Sequence, residues 1–386
     1  MKALASTLLA APGTVPELCV DLDAVAANTR LFRAATDADV MAVVKADGFG
    51  HGALDLARTA LANGASWLGV TSVAEALPLR AAGLRAPVLS WLNPVDGDFA
   101  SALAADVDLA IPGIEHLEAV CAAARATGRA ARVHLHLDTG MARDGASPAL
   151  WGRLCRAARR AERQGTFRVI GVMGHLACAD LPGDPENSTG RTRFAWGLDV
   201  ARASGLRPAQ RHLAATAATL TDPRSHHTMV RIGAGLVGID PSGTTSLQPG
   251  LRLTAPVVSI RRVRAGTGVG YGHTGITTTA TRLALLSLGY ADGLPRAASA
   301  GAEVLVAGRR CPVIGRISMD QTVVDLGPTG RAEPGDLATV FGPGDDGEPT
   351  VADWAGWANT IEHEIVTGIG ARVRRTRIAK PLRSLS

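Results

Sequence analysis

At 386 residues the chain exceeds one ordinary domain, and its 46% hydrophobic, 19% charged composition supports sizeable cores without any apolar run of the roughly 20 residues that crosses a bilayer. The formal charge of +5 comes from scattered basic residues, apart from a cluster at 372–377, so neither a nucleic-acid partner nor a membrane is expected. Five cysteines, at 19, 121, 155, 178 and 311, are odd in number and form no CxxC pair, which suits free thiols in a reducing cytoplasm and offers no metal site.

Taken in chain order, residues 1–11 lack a clear cleavage site before Pro12 and read as a loose terminus. ELCVD at 17–21 is a strand that can pair with a later domain. Short β-branched runs then alternate with Ala/Leu/Arg segments of helical period. Strands are expected at 40–45, 66–70, 87–91, 107–111, 131–137, 168–175, 210–214 and 235–239. The clearest helices are at 23–36, 52–63, 114–127, 147–164 and 188–204. About eight such units over residues 12–245 predict an α/β fold of the (β/α)8 TIM-barrel type. From 246 to 386 the pattern changes to LTAPVVSIRRV, RLALLSL, EVLVAG and LATVFG, punctuated by Gly and Pro, which predicts a β-rich C-terminal domain. GPGDDGEP at 342–349 reads as a turn.

Residue usage singles out two side chains. Of the 40 basic residues only Lys2, Lys45 and Lys380 are lysine, so 37 are arginine and Lys45 alone lies away from the termini. Arginine can replace a generic cation but not a buried amine that must lose its proton and form a Schiff base. Lys45 closes the run MAVVK before the glycine-rich ADGFGHG, at the mouth where barrel chemistry is built. Only two tyrosines occur, Tyr271 in GVGYGHTG and Tyr290 in LGYADG.

The stretch AVVKADGFGHG resembles the cofactor-lysine motif of the alanine racemase family, and further matches carry the resemblance from about residue 15 to 377. It implies that Lys45 binds pyridoxal 5'-phosphate (PLP). Arg231 in VRIGAGLVGIDP resembles the arginine at the cofactor's pyridine nitrogen. A guanidinium only donates, so that nitrogen stays unprotonated and the ring is a weak electron sink, which favours reprotonation over transamination. The amides of Gly233 and Ala234 match phosphate-binding positions. Thr216 in HLAATAA matches a phosphate-binding serine, and His175 in GVMGHLACAD matches a histidine between the catalytic tyrosine and Arg231. Arg143 in HLDTGMARDG resembles a residue that contacts both the cofactor's phenolic oxygen and the substrate carboxylate. Met319 and Asp320 in GRISMDQTVVDLG match the substrate end, and Tyr290 an entrance position.

Racemisation at Cα needs an acid/base group on each face. The resemblance assigns these to Lys45 and to Tyr271 of the partner subunit, which implies a homodimer with shared active sites. An unperturbed phenol titrates near pKa ~10 and so needs a cationic setting, for which His175 and Arg231 are the candidates. The chain departs from the family pattern at Phe49 and His363, each in place of a phosphate-bonding tyrosine. His136 replaces a lysine that many members carry as a carbamate orienting the arginine that corresponds to Arg143, an anion that histidine cannot supply. Ala215 and Gly174 replace an asparagine and a threonine.

The implied activity is interconversion of L- and D-alanine, whose usual use is D-alanine for peptidoglycan. The alternatives are a racemase of another small amino acid in secondary metabolism, a weakly active protein that sequesters PLP or an alanine mimic, and a PLP decarboxylase on a similar barrel.

Overall fold

The computed structural model describes residues 13–378; the expected loose terminus, Lys2, Pro12, Lys380 and the tail from 379 lie outside the described residues. Two compact units emerge, one of residues 24–248 and one formed by residues 13–23 together with 249–378.

In the second unit, β1 (Glu17–Asp21) alternates buried and half-buried positions, the signature of a strand with one covered face. It pairs antiparallel with the long strand Leu251–Val263 and parallel with Arg374–Ile378. The segment ELCVD thus joins the C-terminal sheet rather than the barrel, as its sequence suggested. That long strand also pairs with Thr281–Leu286 and Leu337–Phe341. The unit is β-rich but also holds helices Val351–Ala358 and Glu362–Gly368, which the strand-like pattern had not suggested.

The first unit is an eight-stranded parallel barrel. Its strands are β2 (Asp39–Val43), β3 (Trp67–Val70), β4 (Val88–Ser90), β5 (Asp108–Ile111), β6 (Ala131–His136), β7 (Phe167–Met173), β8 (Gln210–His212) and β9 (Met229–Ile232). They follow one another from β8 back to β2, and β2 pairs with β9. A parallel bridge between Ala215 and Arg231, with the Arg231 amide donating to the Ala214 carbonyl at 3.0 Å, joins β8 to β9. Helices follow the strands, as right-handed crossovers require. Inside, Met41, Val43, Trp67, Leu89, Ala110, Met173 and Met229 form one buried cluster.

One strand was expected in the wrong place. The eighth is Met229–Ile232, whereas Ala234–Val237, which overlaps the expected 235–239, is a buried 3-10 turn. A short apolar run is equally compatible with either form, and three glycines at 233, 235 and 238 favour the turn. Helices Val73–Ala81, with Pro78 inside, and Phe99–Ala104 were also not foreseen.

Candidate active site

Strand β2 ends at Val43, so Lys45 does not close the strand but opens the turn that follows it. Ala46, Asp47, Gly48, Phe49 and Gly50 all have φ between 51° and 80°. A left-handed run costs about 1–2 kcal/mol for each non-glycine residue, and this one is pinned by hydrogen bonds. The Ala46 amide donates to Glu75 Oε1 at 2.7 Å and the Ala53 amide to Asp47 Oδ1 at 2.8 Å. Glu75 also caps the helix Val73–Ala81. Burial lowers the Lys45 amine from its ordinary range, Arg143 lowers it further, and Glu75 partly opposes them. Such an amine is readier to be neutral and nucleophilic.

Arg231 points from β9 into the barrel and is buried. Its two terminal nitrogens donate to the carbonyls of Gly174 (2.7 Å), His212 (2.9 Å) and Leu213 (3.2 Å) and to Nδ1 of His175 and of His212, both at 3.1 Å. Among the described residues these bonds leave Nε as the guanidinium donor without an acceptor. Burial lowers Arg231 to about 10, which still leaves it charged at neutral pH. His175 falls to about 3 through burial and then the Arg231 charge. It is a neutral imidazole, so of the two groups expected to provide a cationic setting only Arg231 carries charge. Because Arg231 can only donate, His175 Nδ1 accepts and its proton sits on Nε2.

Beyond β8 and β9, the Gly235 amide donates to Thr216 Oγ1 at 3.1 Å. The first bond within the following turn runs from Leu236 to the Gly233 carbonyl, so the amides of Gly233 and Ala234 precede it. A Cβ on Gly233 would lie 2.8 Å from Phe49 Cζ, so the tip of that ring faces the glycine backbone.

At two of the departures another polar side chain stands close by. His136 Nδ1 lies 3.2 Å from Asp144 Oδ2, so the residue after Arg143 brings a carboxylate to the imidazole. Burial alone would raise that carboxyl, but the bond and charge of His136 hold it below its ordinary range. At Gly174 a Cβ would meet Thr139 Cγ2 at 2.6 Å, and Thr139 Oγ1 both donates to the His175 carbonyl (2.6 Å) and accepts from its amide (3.2 Å). Thr139 thus places a hydroxyl next to Gly174, bonded to the His175 backbone. Ala215 begins the helix Thr216–Thr221 without a side-chain cap.

In the second unit, Tyr271 opens a 3-10 turn and is 71% exposed. Tyr290, Met319 and Asp320 lie together: the amides of Tyr290 and Ala291 donate to the carbonyls of Ser318 (3.0 Å) and Met319 (2.9 Å). A Cβ on Gly289 would sit 2.3 Å from the Met319 oxygen, which explains the glycine before Tyr290. Arg372 bridges Asp292 at 3.1 Å and Asp320 at 2.8 Å, so Asp320 is already paired. His363 stands on the helix Glu362–Gly368, whose last residue backs onto Gly293 of the GYADG turn. Sequence reasoning missed Glu75, Asp144, Arg372 and a buried chain of His212, His134 and Asp108. The alternation VHLHLD, which sets two histidines on one face of β6, was the available signal.

Residues 20–241 match the family model "Alanine racemase, N-terminal domain" and residues 250–377 the model "Alanine racemase, C-terminal domain". The chain is 49% identical over 363 residues to the alanine racemase of Frankia casuarinae, covering 92% of this chain and 94% of that one. It is 47% identical to that of Thermobifida fusca, with 93% and 97% covered. Among solved structures, the alanine racemase of Streptomyces coelicolor A3(2) superposes with a TM-score of 0.93 at 46% identity, covering 95% of this chain and 98% of that one. The enzyme from D-cycloserine-producing Streptomyces lavendulae gives 0.92 at 44% identity with the same coverage. With a barrel, a lysine turn and an arginine brace of this kind, and matched along nearly its whole length, the chain belongs to the alanine racemase family of isomerases.

Proposed function

We propose that the protein interconverts L- and D-alanine with PLP, as a homodimer whose active sites combine Lys45 of one subunit with Tyr271 of the partner subunit. The observation that carries this reading is the buried Arg231, enclosed by neutral imidazoles and carbonyls with its Nε left over. That donor set fits a pyridine nitrogen that must accept.

The residues present fit the cofactor. Lys45 would hold its carbonyl carbon, Arg231 Nε its ring nitrogen, and Thr216 with the Gly233 and Ala234 amides its phosphate, with His363 as a further phosphate contact. When bound, PLP supplies a sink for the negative charge that develops at Cα, a modest one because its nitrogen is left unprotonated. The amine of Lys45 moves the α-proton on one face. On the other face the phenol of the partner subunit's Tyr271 does so, with the Nε2–H of His175 as the donor remaining to its oxygen and Arg231 as the nearby cation. Arg143 orients the substrate carboxylate, its side chain close enough to Lys45 for its charge to lower that amine. Met319, Asp320 and Tyr290 line the substrate end. The high exposure of Tyr271 supports presentation to another chain.

The product would be D-alanine for peptidoglycan, made in the cytoplasm. Among the described residues no helix is long and apolar enough to cross a membrane. The test is exchange of the α-proton for deuterium across a panel of L- and D-amino acids, with chirality followed in parallel. Racemisation of alanine ahead of the other residues supports the reading. Preference for another small amino acid would move the function to secondary metabolism, carbon dioxide release would make it a decarboxylase, and PLP binding without exchange would make it a sequestering protein.

A further inference from the structure

Behind Arg231 a line of polar side chains runs through the barrel interior to the opposite ends of its strands. His212 Nδ1 faces Arg231 at 3.1 Å, and its Nε2 lies 2.8 Å from His134 Nδ1. His134 Nε2 is buried, and what it faces is Asp108 Oδ2 at 3.5 Å, with no closer partner among the described residues. Asp108, the first residue of β5, accepts in turn from Arg132 Nε at 2.7 Å and from a terminal nitrogen at 3.1 Å. His134 and His212 are wholly buried and Asp108 nearly so. None of the three was assigned a role above.

We propose that Asp108 and His134 are positioning residues for Arg231, acting by fixing the tautomer of His212 so that an imidazole lone pair, not an N–H, faces the guanidinium. The inference rests on the reading of Arg231 as the group facing the cofactor nitrogen. The polarity of the line follows from its two ends. Arginine has no acceptor, so His212 Nδ1 must accept and its proton must sit on Nε2. That N–H then donates to His134 Nδ1, which places the proton of His134 on Nε2, toward Asp108. A carboxylate has no donor, so it closes the sequence without conflict. Both imidazoles are then neutral, and the His134 Nε2–H is left to face the carboxylate 3.5 Å away.

Two further observations show that the line is built into the fold. A Cβ on Gly171 would lie 2.3 Å from His134 Nδ1, and the pairing of β6 with β7 slips between Val133 and His134, so a glycine and a bulge clear the space the ring occupies. Trp67 meets the same ring edge-on, with centroids 5.5 Å apart. Burial and the Arg231 charge hold His212 well below the ordinary histidine range, which keeps it neutral. Burial alone would raise the Asp108 carboxyl, but His134 and Arg132 outweigh it and keep it ionised.

Without the carboxylate, His134 is free to carry its proton on Nδ1. His212 would then face a donor on each side, and its own proton would have to turn on one of them. The side of His212 toward Arg231 is the one that the cofactor nitrogen would feel.

Neutron diffraction from crystals of the protein as purified reads the protons directly. Deuterium on Nε2 of both His212 and His134, with none on either Nδ1, is the expected result; deuterium on His212 Nδ1 overturns the proposal. Asp108→Asn, whose amide oxygen still accepts, leaves the His212 tautomer and kcat near wild type. Asp108→Leu shifts the His212 proton and lowers kcat about tenfold, the scale of lost outer support at other sites, with KM for alanine unchanged because Arg231 does not touch the substrate. If Asp108→Leu does not fold, His134→Phe keeps the ring against Trp67 while removing the acceptor, and the same shift and kcat loss are expected. A fall in kcat with the His212 proton unmoved overturns the proposal. Absence of alanine racemisation in the wild type would instead defeat the functional reading while leaving the neutron result to stand.

Discussion

The two units hold their site residues in opposite ways. In the barrel unit, Arg231 is 5% and Thr216 4% exposed, and each is fixed by hydrogen bonds to neighbouring strands and turns. In the second unit Tyr271 is 71%, Met319 53% and Tyr290 41% exposed. Burial lets the barrel unit determine its own protonation states, because an unpaired buried charge is costly and each donor must find an acceptor. Exposure leaves the other residues to be completed by another surface, which in the proposed dimer is the partner subunit.

The comparison breaks most visibly at Lys45. Lys45→Ala removes the amine from a turn held by Glu75 and Asp47 rather than by the lysine itself. Alanine racemisation should fall by at least about 10³-fold, the scale of a positioned acid/base group, while circular dichroism and thermal midpoint stay near wild type. Borohydride reduction of the PLP-loaded protein should leave the pyridoxyl group on the peptide containing Lys45. Label on another peptide would remove the cofactor assignment.

Tyr271→Phe tests the exposed side. Interconversion should drop about 10²–10⁴-fold, whereas α-proton exchange should persist for the enantiomer that Lys45 reaches. Folding stability should move by no more than about 0.5 kcal/mol, as for other surface changes. Mixing Lys45→Ala and Tyr271→Phe subunits should restore partial activity, since a hybrid dimer has one site with both groups intact. Equal loss of exchange for both enantiomers, or no rescue in verified hybrids, would place both bases in one chain and end the contrast.

Lys45 stood out from usage alone, as the one lysine away from the termini, whereas usage offered both Tyr271 and Tyr290 and only the resemblance gave Tyr271 its proposed role. Most barrel strands were legible too, as β-branched runs such as VMAVV and VHLHL. The eighth was not: MVRI is short and carries a charge, while the nearby apolar GLVGI looks more like a strand and folds as a turn. Of the Asp108–His134–His212 line only the alternation VHLHLD was legible, and the connection was not. It depends on a one-residue slip between β6 and β7 and on the room left by Gly171, and neither follows from the pattern of one segment. The pairing of His136 with Asp144 likewise needed the loop that brings position 144 back to the strand.

The protonation argument can be sharpened by pH. His175 takes a proton only near pH 3 in the folded chain, against 6.5 for the ordinary group. Between those values the unfolded chain binds the extra proton, so stability rises with pH through this window and is fully present above it. From His175 alone the slope approaches ~1.4 kcal/mol per pH unit, one proton's worth. Urea midpoints measured from pH 4 to 8 should show this, and His175→Gln should flatten the curve by about one proton. Tyr271→Phe should leave it unchanged. A curve for His175→Gln that overlays the wild type would mean that the imidazole is not held neutral.

The smallest effect concerns cofactor affinity, where the buried side is itself incomplete. Phe49 and His363 stand where relatives by resemblance have phenols on one phosphate, and a hydrogen bond to a charged group contributes about 1.5–3 kcal/mol. Phenylalanine donates nothing, while an imidazolium at His363 could donate from either nitrogen and compensate in part. The tip of the Phe49 ring already faces Gly233, at the start of the turn whose amides are assigned to the phosphate. A hydroxyl added there would therefore point toward the proposed phosphate cradle, and the left-handed turn that aims the ring is pinned independently by Glu75 and Asp47. Phe49→Tyr should tighten PLP binding about ten- to a hundredfold, at about 1.4 kcal/mol per decade, as read from fluorescence titration of protein stripped of cofactor. The lower end is the better expectation, since the new oxygen must share a space in which Gly233 leaves the ring little clearance. An unchanged dissociation constant, with a structure showing the hydroxyl turned from the phosphate, would mean that Thr216 and the Gly233 and Ala234 amides have been rearranged to hold the phosphate without it.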